Sequence, residues 1–142
     1  MKVLIITYSV TRTAGGVFDA VRDLFVNRAF TNHHLKVFSF IDEHIVEDIS
    51  SWNDIPMKLF RPLPMLFSNK MRKAMLKESP DIFPMEALWR YPQLLMTSWK
   101  KHKKGPIVCT PHGMLDPYII KNQGVVKRIV SNLFFQKSLE AV

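Results

Sequence analysis

Cysteine is almost absent from this chain: Cys109 is the only one. An intramolecular disulfide is thereby excluded, no Cys/His ligand set forms a zinc signature, and a lone thiol fits a cytosolic protein. Glycine is scarce, five in 142 residues. None falls in a G-x-G-x-x-G pattern, so a nicotinamide cofactor has little support. Long hydrophobic runs are missing too. Val3 to Ile6 and Ile107 to Cys109 are strand-length, far below the roughly 20 residues needed to span a bilayer. The start passes from Lys2 directly into a strand-like run without a small-residue cleavage site, which does not read as a secretory signal. No repeat or low-complexity stretch is found.

Positive charge is abundant, a formal net +8 at pH 7, and it is unevenly placed. Asp42, Glu43, Glu47, Asp48 and Asp54 form a stretch without Lys or Arg. Lys58, Arg61, Lys70, Arg72, Lys73 and Lys77 then form one without acids, and Lys100, Lys101, Lys103 and Lys104 make a second basic cluster. Such clusters attract phosphates of nucleic acid, anionic lipid or a phosphorylated substrate. They are equally compatible with solvated helix ends and loops.

The length fits one domain, residues 1–142. KVLIITY (Lys2 to Tyr8) reads as a strand buried on both faces. A helix follows from Val17 to about Arg28, with Val17, Ala20, Val21, Leu24 and Phe25 at helical spacing. LKVFSF (from Leu35) and MKLFRP (from Met57) read as the second and third strands, and Leu66 to Lys77 as a helix. Asp81 to Trp89 reads as a fourth strand and its exit, although Pro84 is awkward in a central strand. A helix over Tyr91 to Lys101 has Leu94, Leu95, Ser98 and Trp99 near one face. PIVCTP is the fifth strand, and Val126, Ile129, Val130, Leu133 and Phe134 form a helical stripe beyond it. Strands alternating with helices predict an α/β domain with a mostly parallel sheet layered between helices.

In such sheets ligands sit at the carboxyl ends of the strands, and three irregular motifs fall there. Gly15 and Gly16 permit close backbone approach and leave amides at a helix start, suited to a phosphate or sugar hydroxyl; a tight strand-to-helix turn explains them as well. Glu86 to Trp89 follows the fourth strand. Trp89 is a suitable platform for a sugar ring, yet Leu88 and Trp89 could simply cover the sheet edge with Glu86 solvated. In TPHGMLDP (Thr110 to Pro117), Pro111 restricts its neighbour and Gly113 permits a positive φ, so a turn presents His112 at the strand end. An imidazole there can donate to a substrate oxygen and change charge near neutral pH; a purely structural histidine is the other reading.

MKVLIITY, the AGG loop, DIFPMEALW and TPHGMLDPYIIKN with its basic amphipathic helix resemble the N-terminal domain of family 4 glycosyltransferases of the GT-B fold. The resemblance covers nearly the whole chain and is most specific at TPHGMLDP. It implies a Rossmann-like domain that binds a sugar or lipid-linked glycan acceptor, facing a second domain that holds a nucleotide-sugar donor. It also implies retention of anomeric configuration without an obligatory metal, in polysaccharide or lipopolysaccharide synthesis. His112 would face the transferring sugar, and Gly15 and Gly16 the donor diphosphate or the acceptor; Glu86, Trp89, Gly113 and Asp116 complete the expected substrate-binding set. Where members often carry H-x-H-G-L-W, this chain has Pro84 to Trp89, keeping Leu-Trp without the histidines.

Relatives continue past the equivalent of Val142 into the donor domain, so the expectation is an incomplete domain without turnover alone, whose stripe at Val126 to Phe134 is partly exposed and self-associates. The segment Met57 to Lys77 and the helix at about 123–139 could hold a cytoplasmic protein at the inner, anionic face of a membrane. The competing class is a non-catalytic basic binding module for nucleic acid, membrane or protein. No aromatic-and-basic strand code or helix-turn-helix supports specific nucleic-acid recognition.

Overall fold

The computed structural model describes residues 1–26, 32–63, 68–86, 91–102, 105–114 and 116–121. Strands β1 (Lys2–Ile6), β2 (His34–Phe40), β3 (Met57–Phe60), β4 (Phe83–Glu86) and β5 (Ile107–Thr110) form one sheet in the order β3-β2-β1-β4-β5. Every pairing is parallel. Helices α1 (Gly16–Val26), α2 (Ile45–Asp48), α3 (Asn69–Glu78) and α4 (Tyr91–His102) lie in the crossovers, and α5 (Pro117–Lys121) follows β5. The fold is α/β and Rossmann-like. Among the described residues no helix is long and apolar enough to cross a membrane.

The near-continuous apolar strands are explained by burial on both faces. Leu4, Ile6, Phe38, Phe40, Phe83 and Met85 pack with Met71 and Met75 of α3 and with Leu95, Met96 and Trp99 of α4. On the opposite face Val3, Ile5 and Val37 pack with Phe18, Val21 and Phe25 of α1 and with Trp52. Alternate residues of each strand thus enter different layers, as a two-residue repeat requires. α3 starts at Asn69 because the Ser68 side chain accepts from the Met71 N–H at 3.1 Å. It stops at Ser79, which is left-handed (φ 48°), with Pro80 next. Arg72 Nε donates to Ser98 Oγ at 2.7 Å, tying α3 to α4. The buried face of α4 is built on Tyr91, Leu95, Met96 and Trp99, with Leu94 and Ser98 only half-buried.

Two features depart from the sequence reading. The acidic stretch after β2 contains α2 and a 3-10 turn, Ile49–Trp52, each of four residues. Elements that short show no helical periodicity. Their anchor is Trp52, buried against Phe18, whose Nε1–H donates to the Val10 carbonyl at 2.9 Å. The second feature is Pro84, which does sit in a central strand. Ile82 exchanges hydrogen bonds with β1, through Ile82 N–H to Lys2 O and Leu4 N–H to Ile82 O, whereas Phe83 N–H donates towards β5 at Pro106 O. The N–H that Pro84 lacks therefore belongs on the β1 side. There the ladder is reduced to the pair Ile6–Met85 and an isolated bridge, Val3–Ile82, while β4–β5 keeps four paired positions. The fourth strand's expected exit (87–89) and the expected helix over about 123–139, with its apolar stripe, lie outside the described residues.

Trp52→Phe removes the indole donor to the buried Val10 carbonyl while keeping an aromatic ring. It is expected to lower the unfolding free energy by about 1–3 kcal/mol, the cost of an unsatisfied buried acceptor, measured by urea denaturation.

Candidate functional site

All five strands point the same way, so their carboxyl ends and the loops that leave them share one edge. The order reverses at β1: the chain moves outward through β2 and β3 and then crosses to β4 on the other side. The crevice between β1 and β4 is the topological switch point, where doubly wound sheets bind ligands. Ile6 pairs with Met85, and Glu86 pairs with Thr110. Thr7, the residue after β1, therefore falls in one row with Glu86 and Thr110, which end β4 and β5, and His112 lies two residues further on.

The loop after β1 is held by carboxylates from the acidic stretch. Asp42 Oδ2 accepts from Ser9 Oγ at 2.7 Å and from Thr11 Oγ1 at 2.8 Å, and its Oδ1 accepts the His44 N–H at 3.1 Å. Asp48 Oδ2 accepts the Arg12 N–H at 2.8 Å, and both of its oxygens meet the Arg12 guanidinium, which also reaches Glu47 at 3.1 Å. The Arg12 side-chain hydrogen bond, followed by that of its backbone N–H, lowers the Asp48 carboxyl to about 2. Thr7, Ser9 and Thr11 are buried; Asp42 satisfies the Ser9 and Thr11 hydroxyls, and Thr7 Oγ1 donates to the Ser9 carbonyl at 3.1 Å. Gly15 follows with φ 57° and ψ −140°, a conformation that essentially only glycine adopts, and Gly16 opens α1. A Cβ at either glycine would meet nothing within 4 Å, so this rigid loop borders open space at a helix start.

On the other side of the crevice, Glu86 is 2% exposed at the last position of β4. His112 Nε2 lies 2.8 Å from its Oε2, and the histidine side chain is 16% exposed. Solvated Glu86, one of the sequence expectations, is thus replaced by a buried carboxylate behind a partly exposed imidazole. The turn that delivers the ring is closed by Met114 N–H to Pro111 O at 2.8 Å. Its two central residues both have positive φ, His112 at 46° and Gly113 at 77°. The glycine takes this conformation freely and the histidine at a cost. Asp116, expected at the substrate, is exposed and accepts the Tyr118 N–H at 2.7 Å, capping α5. Trp89 lies outside the described residues. Burial, then the nearby Glu86 charge, raise the Cys109 thiol, which disfavours it as a nucleophile.

The structure therefore brings Gly15, Gly16, Glu86, His112 and Gly113 to the carboxyl edge of one sheet. It adds Ser9, Thr11, Asp42 and Asp48, which the sequence reading did not assign to the site; the two aspartates stood out there only as members of the acidic stretch. Among the described residues no group of three or more His, Cys, Asp or Glu converges as metal ligands would. A cavity of about 470 Å³, lined by Lys2, His34, Lys36, Pro56 and Glu78 among others, lies at the amino ends of the strands, away from this edge. Lys36 and Glu78 pair there at 2.7 Å. Comparisons with protein-family models, curated proteins and solved structures each returned no match, so a functional reading rests on these residues alone.

The Arg12–Asp48 contact has a definite pH signature. Because the folded-state carboxyl is lowered to about 2, its contribution is complete above the ordinary aspartate range, near pH 4, and disappears as pH falls through the folded value. Asp48→Asn is expected to be less stable than the parent chain at pH 7. The gap should close between about pH 4 and pH 2, as followed by denaturant unfolding at stepped pH.

Proposed function

We propose that this chain is the acceptor-side domain of a retaining glycosyltransferase of GT-B architecture. The full enzyme moves a sugar from a nucleotide-sugar, held by a second domain, to a glycan or lipid-linked acceptor. The observation that carries the reading is the carboxylate-backed imidazole, Glu86–His112 at 2.8 Å, at the carboxyl ends of neighbouring strands beside the switch point. The Gly15–Gly16 loop on the far side of the crevice supports it, being pinned from behind and open in front. In this reading His112 faces the transferring sugar and the glycine loop approaches the acceptor or the donor diphosphate. Fixed donors at the leaving phosphate would stabilise the charge that develops there. Neither hydride chemistry nor a resident metal is needed for this role.

Titrating the isotope-labelled chain with a panel of oligosaccharides and following amide shifts tests the reading. Shifts concentrated at Gly15, Gly16, His112 and Gly113 are expected. A panel that leaves all four unmoved would remove its basis.

The same proposal places the enzyme at the cytoplasmic face of an anionic membrane. Lys70, Lys73 and Lys77 form an exposed stripe on α3, and α4 ends with the exposed Lys100 and Lys101. At about 1 kcal/mol per lysine near an anionic surface, three lysines correspond to roughly a hundredfold in partitioning. Replacing Lys70, Lys73 and Lys77 together with Ala is expected to cause a loss of that order in co-sedimentation with phosphatidylserine vesicles. Equal binding of the parent chain to neutral and anionic vesicles would count against the membrane role.

A further inference from the structure

We infer that Glu86 is a positioning residue, which keeps the hydrogen of a neutral His112 on Nε2 and leaves Nδ1 as the nitrogen that accepts a hydrogen bond from a ligand hydroxyl. The inference begins with donors and acceptors. An ionised Glu86 can only accept, so across 2.8 Å its imidazole partner donates from Nε2. In a neutral ring the other nitrogen is then an acceptor. Among the described residues no hydrogen bond occupies Nδ1.

The support is rigid on both sides. Glu86 closes a strand paired along four positions with β5, and it is almost completely removed from water. His112 sits in a left-handed conformation that a non-glycine residue adopts only when its surroundings impose it. Together they hold one ring face and one nitrogen in place before any ligand arrives. An acceptor nitrogen of this kind suits a hydroxyl donor such as a sugar, and offers nothing to a phosphate oxygen unless the ring gains a second proton. The ligand class rests on the glycosyltransferase reading above; the tautomer does not.

Nitrogen-15 spectra of histidine-labelled chain, recorded where the rings are neutral and assigned with His112→Gln, test the tautomer without a ligand. For His112 the expected result is a single Nε2–H form whose proton exchanges slowly with water. In Glu86→Leu that proton should exchange rapidly, and in Glu86→Gln, which keeps an acceptor oxygen, slow exchange should return. A hydrogen found on Nδ1 in the parent chain overturns the inference without recourse to any variant. So does an Nε2–H that exchanges equally fast with and without Glu86.

If the chain binds an oligosaccharide, Glu86→Leu should weaken it by roughly tenfold, the scale of one hydrogen bond; unchanged affinity overturns the hydroxyl assignment. An Nε2–H form protected by Glu86, in a chain that binds no sugar, would support the positioning role and overturn the glycosyltransferase reading alone.

Discussion

Parallel pairing of β1 with both β2 and β4 is the constraint on which the rest depends. It makes every connection a crossover, buries both faces of the sheet under helices, and sends every loop that leaves a strand to one edge. The reversal of strand order at β1 then opens a crevice in that edge. Thr7, Glu86 and Thr110 line up there because Ile6 pairs with Met85 and Glu86 with Thr110. A slip of one residue in β4 would turn Glu86 to the opposite face and move Met85 out of the core.

Ser9, Thr11, Asp48 and the Val10 carbonyl are buried at this edge with partners in place. Ser9 and Thr11 bond Asp42, Arg12 bonds Asp48, and the Val10 carbonyl receives the Trp52 indole. Without these bonds, burying hydroxyls and carbonyls would cost more than the hydrophobic contacts around them return. The acidic stretch thus works locally, as a brace for the first loop. The basic helix α3, by contrast, keeps Lys70, Lys73 and Lys77 in solvent, where the charges remain available to an external surface.

Three backbone exceptions border the same crevice. Pro84 removes one rung between β4 and β1, Gly15 turns the first loop in a conformation closed to other residues, and His112 takes a positive φ beside Gly113. Consistent local preferences elsewhere in the chain allow these departures to persist. A pre-placed imidazole and an open glycine loop are the features that such departures would serve in the proposed sugar-binding role.

The chain's own pattern was enough for the α/β class, the order of the five strands along it, and the positions of α1, α3 and α4, because buried parallel strands and amphipathic helices write their periods into local sequence. Gly113 and Gly15 also marked their turns directly, through a conformation that other residues avoid. Tertiary structure alone decided the spatial order of the strands, the bond between Glu86 and His112, 26 residues apart, and the use of Asp42 and Asp48 as braces. It also decided that Pro84 could lie in a central strand, since the missing N–H faces a ladder already shortened. Each of these depends on which distant residues become neighbours, and a periodic pattern carries no information about the partner across a sheet.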